Sequence, residues 1–378
     1  MAATRRFRRK GNIIVLAAFM MVFMLGFLAF AVDMGSLYVA RSELQRSADS
    51  AAIAAAWELI DENAPTGIVN TEATTFAART RAGEFAALNA VFQAGPALAD
   101  DDVEVGYLAD PTDPNSPFSA VGVGSPNAVR VRVQRTTDIN GELPLFFARV
   151  LGFNHASASA DATAALVMNF GGWRIPSDGG TLGILPFALD SDTWDALMAG
   201  DATDIYSYNP DTNTISLGSD GIKEVNLYPQ GTGAPGNRGT VDIGGSNNST
   251  ADIARQIVDG VNGEDLSHHG GSLEFNEDGT MELNGDTGIS AGIKDELDSI
   301  KGLPRMIPVF TQVEGPGNNA QYTITKFVGV RVMDVKLTGS MSGKKVMIQP
   351  ANVIARGGIP ASSGDNSHFI YSPAWLAR

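Results

Sequence analysis

The sequence contains no cysteine among its 378 residues and only four histidines. Without cysteine the chain can form no disulfide bond, no thiolate metal site and no cysteine nucleophile. This absence leaves the cellular compartment open, because exported proteins can lack cysteine as well. Scarce histidine also leaves few side chains that could act as a general base near neutral pH.

Motifs for catalysis and for metal binding are missing too. The sequence has no G-x-S-x-G and no recognisable catalytic triad. The adjacent His268 and His269 would point to opposite faces of a strand and have no third ligand at a metal-like spacing, so a surface loop is predicted there. We therefore predict that the chain is not an enzyme and has no cofactor, no metal site and no small-molecule substrate.

Two glycine-rich stretches come close to phosphate-binding motifs. Residues 231–236, GTGAPG, fit G-x-G-x-x-G, but Pro235 and a strand-like segment stand where a dinucleotide site needs a helix. Residues 338–345, TGSMSGKK, have a misplaced first glycine and no Ser or Thr after the lysine. Neither stretch predicts a nucleotide site.

Two further patterns concern cations. Asp334 lies too far from Ser340 for the D-x-S-x-S arrangement of a metal site. The oxygen-rich loops 211–220 and 276–286 do not follow the calcium-loop pattern of Gly at position six and Glu at position twelve. Tight turns explain the same residues, and calcium binding there stays an open question.

Charge is distributed unevenly along the chain. The net charge is -15, yet residues 1–12 hold five bases (Arg5, Arg6, Arg8, Arg9 and Lys10) and no acid. Everything after this tail carries 22 bases against 42 acids and would be repelled by polyphosphate. No nucleic-acid partner is predicted.

Residues 13–32, IIVLAAFMMVFMLGFLAFAV, form an uninterrupted apolar run. A helix of about 20 residues spans a hydrocarbon core of roughly 30 Å, so this run predicts one transmembrane helix. The basic tail before it predicts a cytoplasmic N-terminus and an extracytoplasmic body. Two processing events stay open: signal cleavage after Ala31, and prepilin-type cleavage after Gly11, where Leu16 stands in place of the usual Glu.

Beyond the apolar run, the pattern becomes that of an alanine-rich amphipathic helix. The apolar positions are Leu37, Leu44, Ala48, Ala51, Ala55 and Leu59. Their spacing traces one helical face, and most of them are small. Small residues let another backbone approach closely, so this face is predicted to pack against a second helix of the same or another chain.

These residues carry a resemblance to a known family. The basic start, the apolar span and the pattern V-D-x-G-x-x-Y-x-x-R-x-x-L-Q-x-x-A-D-x-A-A-x-A-A-A from residue 32 resemble the N-terminal segment of the Flp pilus-assembly TadG-like (TadE/G-like) proteins of the bacterial tight-adherence (Tad) system. Residues 128–135, 143–153 and 157–166 are similar to the rest of that family's membrane-proximal module. The candidate motif or assembly residues are Gly11, Asp33, Gly35, Tyr38, Arg41, Leu44, Gln45, Ala48, Asp49, Ala52 and Ala55.

Three of these residues carry individual predictions. Asp33 is expected at the outer membrane interface, since an acid in mid-membrane costs roughly 2.5 to 3.5 kcal/mol, and it is also a candidate assembly contact. Tyr38 is expected as an interfacial anchor. Asp49 is expected to form a solvated pair with Arg46.

The helices and strands predicted for the body indicate an α+β fold. A second helix is predicted within residues 70–93, with apolar positions Phe76, Ala77, Thr80, Phe85, Leu88 and Phe92, and strands at 103–108 and 128–135. Beyond residue 170, strands are predicted at 181–189, 213–217, 222–228, 240–243, 272–275, 280–284, 306–313, 321–337 and 344–349, with helices at 251–261 and 290–300. This mixture favours a mainly antiparallel, β-rich C-terminal domain.

The predicted organisation is a cytoplasmic tail (1–12), a transmembrane helix (13–32), a membrane-proximal module that continues that helix (33–168) and a β-rich extracytoplasmic domain (169–378). The predicted function is a membrane-anchored, non-enzymatic part of a Tad/Flp-type pilus assembly or adhesion apparatus. Its predicted partners are other pilus-assembly proteins or a second copy, bound through helix 33–59. The alternative is an anchored extracellular binding or adhesive domain unrelated to pilus assembly.

Overall fold

The computed structural model describes residues 13–120, 124–245, 249–285, 291–361 and 364–378. Gly11 and the basic tail lie outside the described residues. The chain forms two compact units from interleaved segments. The first unit comprises residues up to Ala55 with Arg79–Glu104 and Arg130–Thr163, and the second comprises Ala56–Ala78, Val105–Val129 and Ala164–Arg378.

The described residues contain six α-helices and 22 strands. The helices are α1 (Ile13–Trp57), α2 (Thr71–Leu88), α3 (Ser191–Met198), α4 (Thr250–Asp259), α5 (Gly263–Ser267) and α6 (Lys294–Ser299). The first eleven strands are β1 (Val103–Leu108), β2 (Phe118–Ser119), β3 (Ala128–Arg135), β4 (Leu143–Pro144), β5 (His155–Ala156), β6 (Ala158–Ala165), β7 (Phe170–Arg174), β8 (Leu189–Asp190), β9 (Tyr206–Asn209), β10 (Thr214–Leu217) and β11 (Val225–Tyr228). The others are β12 (Val241–Asp242), β13 (Ser272–Glu274), β14 (Met281–Gly285), β15 (Pro304–Glu314), β16 (Gln321–Lys336), β17 (Lys345–Pro350), β18 (Val353–Ile354), β19 (Gly358–Pro360), β20 (Ser367–His368), β21 (Ile370–Tyr371) and β22 (Trp375–Leu376).

Helix α1 runs for 45 residues without a break. It contains no proline, and every residue from 13 to 28 has an exposed side chain, as a lipid-facing segment requires. Within the described residues α1 is the one helix that is long and apolar enough to cross a membrane. The structure thus confirms the prediction of one candidate span, and the same helix continues beyond it without a break to Trp57.

In the first unit, α2 folds back on α1. The Ser47 hydroxyl donates to the Ala86 carbonyl at 3.2 Å, and the Asn89 amide donates to the Ser50 hydroxyl at 3.0 Å. These bonds bring the two helix backbones close together, and small side chains allow this approach. On α2 the fully buried positions are Ala78, Ala82 and Ala86.

The apolar face predicted for α2 was therefore wrong. Phe76 and Leu88 were expected on that face, yet they are 72 % and 77 % exposed. The buried alanines recur every fourth residue, which is the spacing of one helical stripe. Close approach of the two helix backbones, which only small residues permit, decides which face of α2 is buried, and the positions of the large apolar side chains do not.

Strands β1 and β3 have the bounds predicted from the sequence. Along β3, Val129, Val131 and Val133 are fully buried, whereas Arg132 between them is exposed. This period-two alternation is that of a strand with one face in a core. The five-stranded sheet has the order β2-β1-β3-β6-β22.

An eight-stranded sheet organises the second unit. Its main path is β11-β17-β16-β14-β12, and β15 and β20 also pair with β16, while β8 pairs with β15. The pairings are antiparallel except those of β8 and β20. The predicted α+β class with a mainly antiparallel C-terminal part is confirmed. Strands β15, β16 and β17 lie within two residues of the predicted bounds.

The central strand β16 contributes to two hydrophobic clusters. Val328, Val330 and Val332 belong to one of them. Tyr322 and Phe327 belong to the other. A strand that is buried on both faces has a long, mostly apolar sequence. This pattern explains why the segment could be predicted as a strand.

One strand predicted for the second unit was wrong. Residues 181–189 form isolated bridges at Leu182, Ile184 and Phe187, and a regular strand begins only at Leu189. Pro186 lacks the backbone N–H that a continuous ladder needs. The segment is still buried, and the side chains of Leu182 and Ile184 lie in the core.

Candidate functional site

Asp33 is the first residue after the apolar run, and it is buried in the first unit, with 5 % of its surface exposed. Its carboxylate accepts the backbone N–H groups of Phe146 at 2.7 Å and of Ala148 at 2.6 Å. The N–H of Phe147 lies 3.1 Å from both oxygens. Three consecutive amides therefore converge on one carboxylate.

The local fold of residues 143–156 explains why these amides are available. Strands β4 and β5 pair as an antiparallel hairpin, and the N–H of Leu145 bonds to the carbonyl of Asn154. The tip of the hairpin is a 3₁₀ turn over Ala148–Leu151, which closes at Gly152 in the left-handed region with φ of 91°. The first N–H groups of such a turn have no acceptor within it, and Asp33 supplies that acceptor.

The electrostatics of Asp33 follow from this geometry. Burial disfavours the charged carboxylate, but the hydrogen bonds from Ala148, Phe147 and Phe146 and the nearby charge of Arg149 outweigh burial, so the pKa of Asp33 lies below its ordinary value. Asp33 is thus ionised at neutral pH. Its predicted role as an assembly contact stays a prediction, and the structure adds that its oxygens already have partners within the chain.

The other motif residues divide between two sides of α1. Leu44, Ala48, Ala52 and Ala55 have no exposed surface. Tyr38, Arg41 and Gln45 are exposed, as is Gly35, and Asp49 is half-buried. The predicted small-residue face is therefore confirmed as a packing face within this chain.

The exposed side of α1 forms a stripe that we call the exposed stripe, consisting of Met34, Tyr38, Arg41 and Gln45. These residues are spaced by four, three and four positions, so they share one side of the helix. Tyr38 has 77 % of its surface exposed. A Cβ atom added at the neighbouring Gly35 would meet nothing within 4 Å, so packing inside this chain does not require glycine there.

Polar contacts attach the end of the exposed stripe to the rest of the first unit. The Gln45 amide donates to Asp49 at 2.8 Å and to the Asp161 carbonyl at 3.1 Å. The partner predicted for Asp49 was Arg46, whereas this bond comes from Gln45. Arg132 donates to the Asp161 carboxylate at 2.8 Å, and this bond raises the pKa of Arg132.

The second unit contains an acidic cluster that sequence reasoning missed. Asp204, Asp220 and Glu224 bring carboxylate oxygens within 4.8 Å of one another. Glu224 is 2 % exposed and accepts the N–H groups of Ile205 and Tyr206. Burial raises the pKa of Glu224, and the charges of Asp204 and Asp220 add to this effect.

The cluster does not have the character of a built cation site. Asp204 accepts from the Ser219 hydroxyl at 2.6 Å and from the N–H of Gly221 at 3.0 Å, and Asp220 accepts from the N–H of Tyr208. The carboxylates therefore serve as acceptors for the turns around them. Nothing else in the cluster points to a ligand.

The near-motifs of the second unit also have structural roles. The Asp334 carboxylate pairs with Lys345 at 2.6 Å and accepts the Tyr206 hydroxyl at 2.9 Å. Residues 231–236 lead into strand β12, and the described residues contain no helix at that point. His268 caps α5, so this pair of histidines follows a helix and does not lie on a strand.

Two family models match adjoining parts of the chain. Residues 11–58 match the family described as Putative Flp pilus-assembly TadE/G-like, and residues 54–164 match the family described as Putative Tad-like Flp pilus-assembly. No curated protein and no solved structure matches the chain significantly. The two matches cover α1, α2, the hairpin at 143–156 and the exposed stripe. The resemblance predicted from the residues is confirmed over 11–164, where both matching models describe Flp pilus-assembly proteins.

Proposed function

We propose that the chain is a membrane-anchored, non-enzymatic component of a Tad/Flp-type pilus assembly or adhesion apparatus. Residues 13–32 cross the inner membrane once, with the basic N-terminal tail in the cytoplasm and both units outside it. The match to two pilus-assembly family models over 11–164 carries this proposal. The five bases before the span support the orientation, because basic residues are retained on the cytoplasmic side.

The contact with the assembly apparatus is made through the exposed stripe. The alanine face of α1 is buried within the first unit, so it is not available to a partner. Tyr38 combines large exposed area with few rotatable bonds, which is typical of residues at protein interfaces. The adjacent Gly35 leaves room for another backbone, as at close helix contacts in membranes.

A photo-crosslinking amino acid at Tyr38 tests this proposal in cells that build the pilus. Leu88 provides a matched control, because both side chains are 77 % exposed and both lie in the first unit. We expect crosslinks from position 38 to a pilus-assembly protein or to a second copy, and far fewer from position 88. Equal crosslinking from both positions, together with normal piliation and normal attachment after deletion of the gene, would reject the proposal.

The orientation is tested separately. Because the chain has no native cysteine, Ser42→Cys on the exposed side of α1 gives a single labelling site. A maleimide that cannot cross membranes should label this site from the extracytoplasmic side once the outer envelope is opened. Labelling only after lysis of the inner membrane would place both units in the cytoplasm and contradict the proposal.

The second unit supports a second candidate function, an anchored binding or adhesive domain. Most of it lies beyond residue 164, where the family models end. It contains a cleft of about 320 Å³ with the largely apolar lining typical of ligand sites; Val69, Met198 and Ile370 are among its lining residues. Deletion of the gene distinguishes the candidates: normal pili with lost attachment favour adhesion, whereas absent pili favour assembly.

A further inference from the structure

The hairpin tip that binds Asp33 exposes an unusual amount of apolar surface. We call residues 146–153 the apolar loop. Its exposed fractions are 48 % for Phe146, 46 % for Phe147, 84 % for Val150, 79 % for Leu151 and 65 % for Phe153. Five large apolar side chains within eight residues form a patch of the kind that marks a protein or membrane contact.

The position of the apolar loop is fixed relative to the membrane span. Asp33 follows the last residue of the apolar run, and a helix rises about 1.5 Å per residue, so its carboxylate belongs at the edge of the hydrocarbon core. The N–H groups of Phe146 and Ala148 bind this carboxylate directly. The loop is therefore held at the level where the span leaves the bilayer.

Six backbone N–H groups of the apolar loop are hydrogen-bonded, which lowers the cost of moving the loop out of water. Asp33 accepts the N–H groups of residues 146–148, and the N–H groups of Val150, Gly152 and Phe153 bond to carbonyls within the loop. Paired amides are far less costly to remove from water than unpaired ones. Arg149 is an exposed residue whose Nε donates to the Leu145 carbonyl at 3.1 Å, and its remaining N–H groups can pair with a lipid phosphate at the same depth.

We propose that the apolar loop inserts into the interfacial region of the same bilayer that residues 13–32 cross. The chain would then hold the membrane at two points, a spanning helix and an interfacial loop joined to it through Asp33. This second contact would restrict rotation of the first unit about the axis of α1. The inference rests on the membrane span in the proposed function and adds a lipid contact to it.

Depth-dependent fluorescence quenching tests the proposal. Leu151→Cys and the matched control Leu88→Cys, with exposed fractions of 79 % and 77 %, are labelled with an environment-sensitive fluorophore in the otherwise cysteine-free full chain. Asn89, next to the control position, bonds to Ser50, about 25 Å along α1 from Asp33. The labelled chains are reconstituted in phosphatidylcholine and phosphatidylglycerol vesicles that contain nitroxide lipids.

We expect the label at position 151 to be quenched several-fold more by the nitroxide lipids than the label at position 88, and to be protected from aqueous iodide. Asp33→Ala should reduce the lipid quenching at 151 and leave that of a Phe23→Cys label inside the span unchanged. Phe153→Cys provides a second position if Leu151→Cys does not fold.

Three results would overturn the proposal. If iodide quenches positions 151 and 88 equally while the Phe23 label is in lipid, the loop lies in water. Protection from both quenchers at 151 would show that protein covers the loop. A Phe23 label outside the lipid would overturn the membrane span itself, which is a distinct failure of the proposed function.

Discussion

The carboxylate of Asp33 accepts the backbone N–H of Ala148 at 2.6 Å across a separation of 115 residues. This bond and its two neighbours connect the end of the apolar run to the hairpin at 143–156. Asp33→Asn should loosen the hairpin tip, because an amide has one acceptor oxygen and its NH₂ group would face a backbone donor. Hydrogen exchange at residues 146–148 should accelerate by at least about tenfold, because a hydrogen bond to a charged group contributes about 1.5 to 3 kcal/mol and about 1.4 kcal/mol corresponds to a factor of ten.

A matched variant separates this effect from a general loss of charge on α1. Asp49→Asn removes an acid from the same helix whose partner is the Gln45 side chain, and that bond can persist with an amide. Exchange at residues 146–148 should stay at the wild-type rate in Asp49→Asn. If both variants accelerate exchange there equally, the three amide bonds do not hold the hairpin tip.

Close packing of α1 and α2 makes a second prediction, about alanine at position 86. Ala86 is fully buried, and its carbonyl accepts the Ser47 hydroxyl, so Ala86→Leu should force the helices apart. Overpacking of this kind costs about 1 to 3 kcal/mol of unfolding free energy. Ala87→Leu adds the same side chain at the next, exposed position and should change stability by less than about 0.5 kcal/mol. Urea unfolding of the detergent-solubilised chain measures both, and equal losses would contradict this packing.

Gly35 makes a third prediction, in which stability and function respond in opposite directions. A methyl group at Gly35 would meet nothing within 4 Å in this chain, and alanine favours a helix over glycine by roughly 0.5 to 1 kcal/mol, so Gly35→Ala should keep or raise stability. Gly35→Leu should also fold, yet it should impair piliation if the exposed stripe contacts a partner closely. Normal piliation in Gly35→Leu would show that no backbone approaches there.

The sequence predicted features that depend on periodicity or on long apolar runs. The one candidate span among the described residues, the bounds of β1 and β3 and the long strands β15 to β17 all follow from such patterns. Asp33 also stood out, because it is an acid placed directly after an apolar run. The domain bounds and the assembly roles of the motif residues stay predictions.

The contacts that define the candidate site were not predictable in the same way. The partners of Asp33 are backbone N–H groups, and every residue other than proline has one, so residues 146–148 carry no recognisable signature. On α2, the aromatic positions suggested the wrong face because alanine packing depends on backbone approach. The cluster of Asp204, Asp220 and Glu224 depends on turns whose register the sequence does not specify.

Glu224 makes the fourth prediction, about the pH dependence of stability. Burial, followed by the charges of Asp204 and Asp220, raises the folded-state pKa of Glu224 above its ordinary value of 4.5. Its contribution to stability is therefore fully present below about pH 4.5 and is lost as the pH rises through the folded-state pKa. Glu224→Gln loses one acceptor oxygen, and this loss is the same at every pH. Because glutamine cannot ionise, the free energy of unfolding of Glu224→Gln relative to wild type should increase as the pH rises through this window. Chemical unfolding across that range measures the difference, with the exposed Glu264→Gln as control. If the stability of Glu224→Gln relative to wild type falls as the pH rises, the prediction is wrong. The folded protein would then stabilise the ionised Glu224 carboxylate, as a bound cation would.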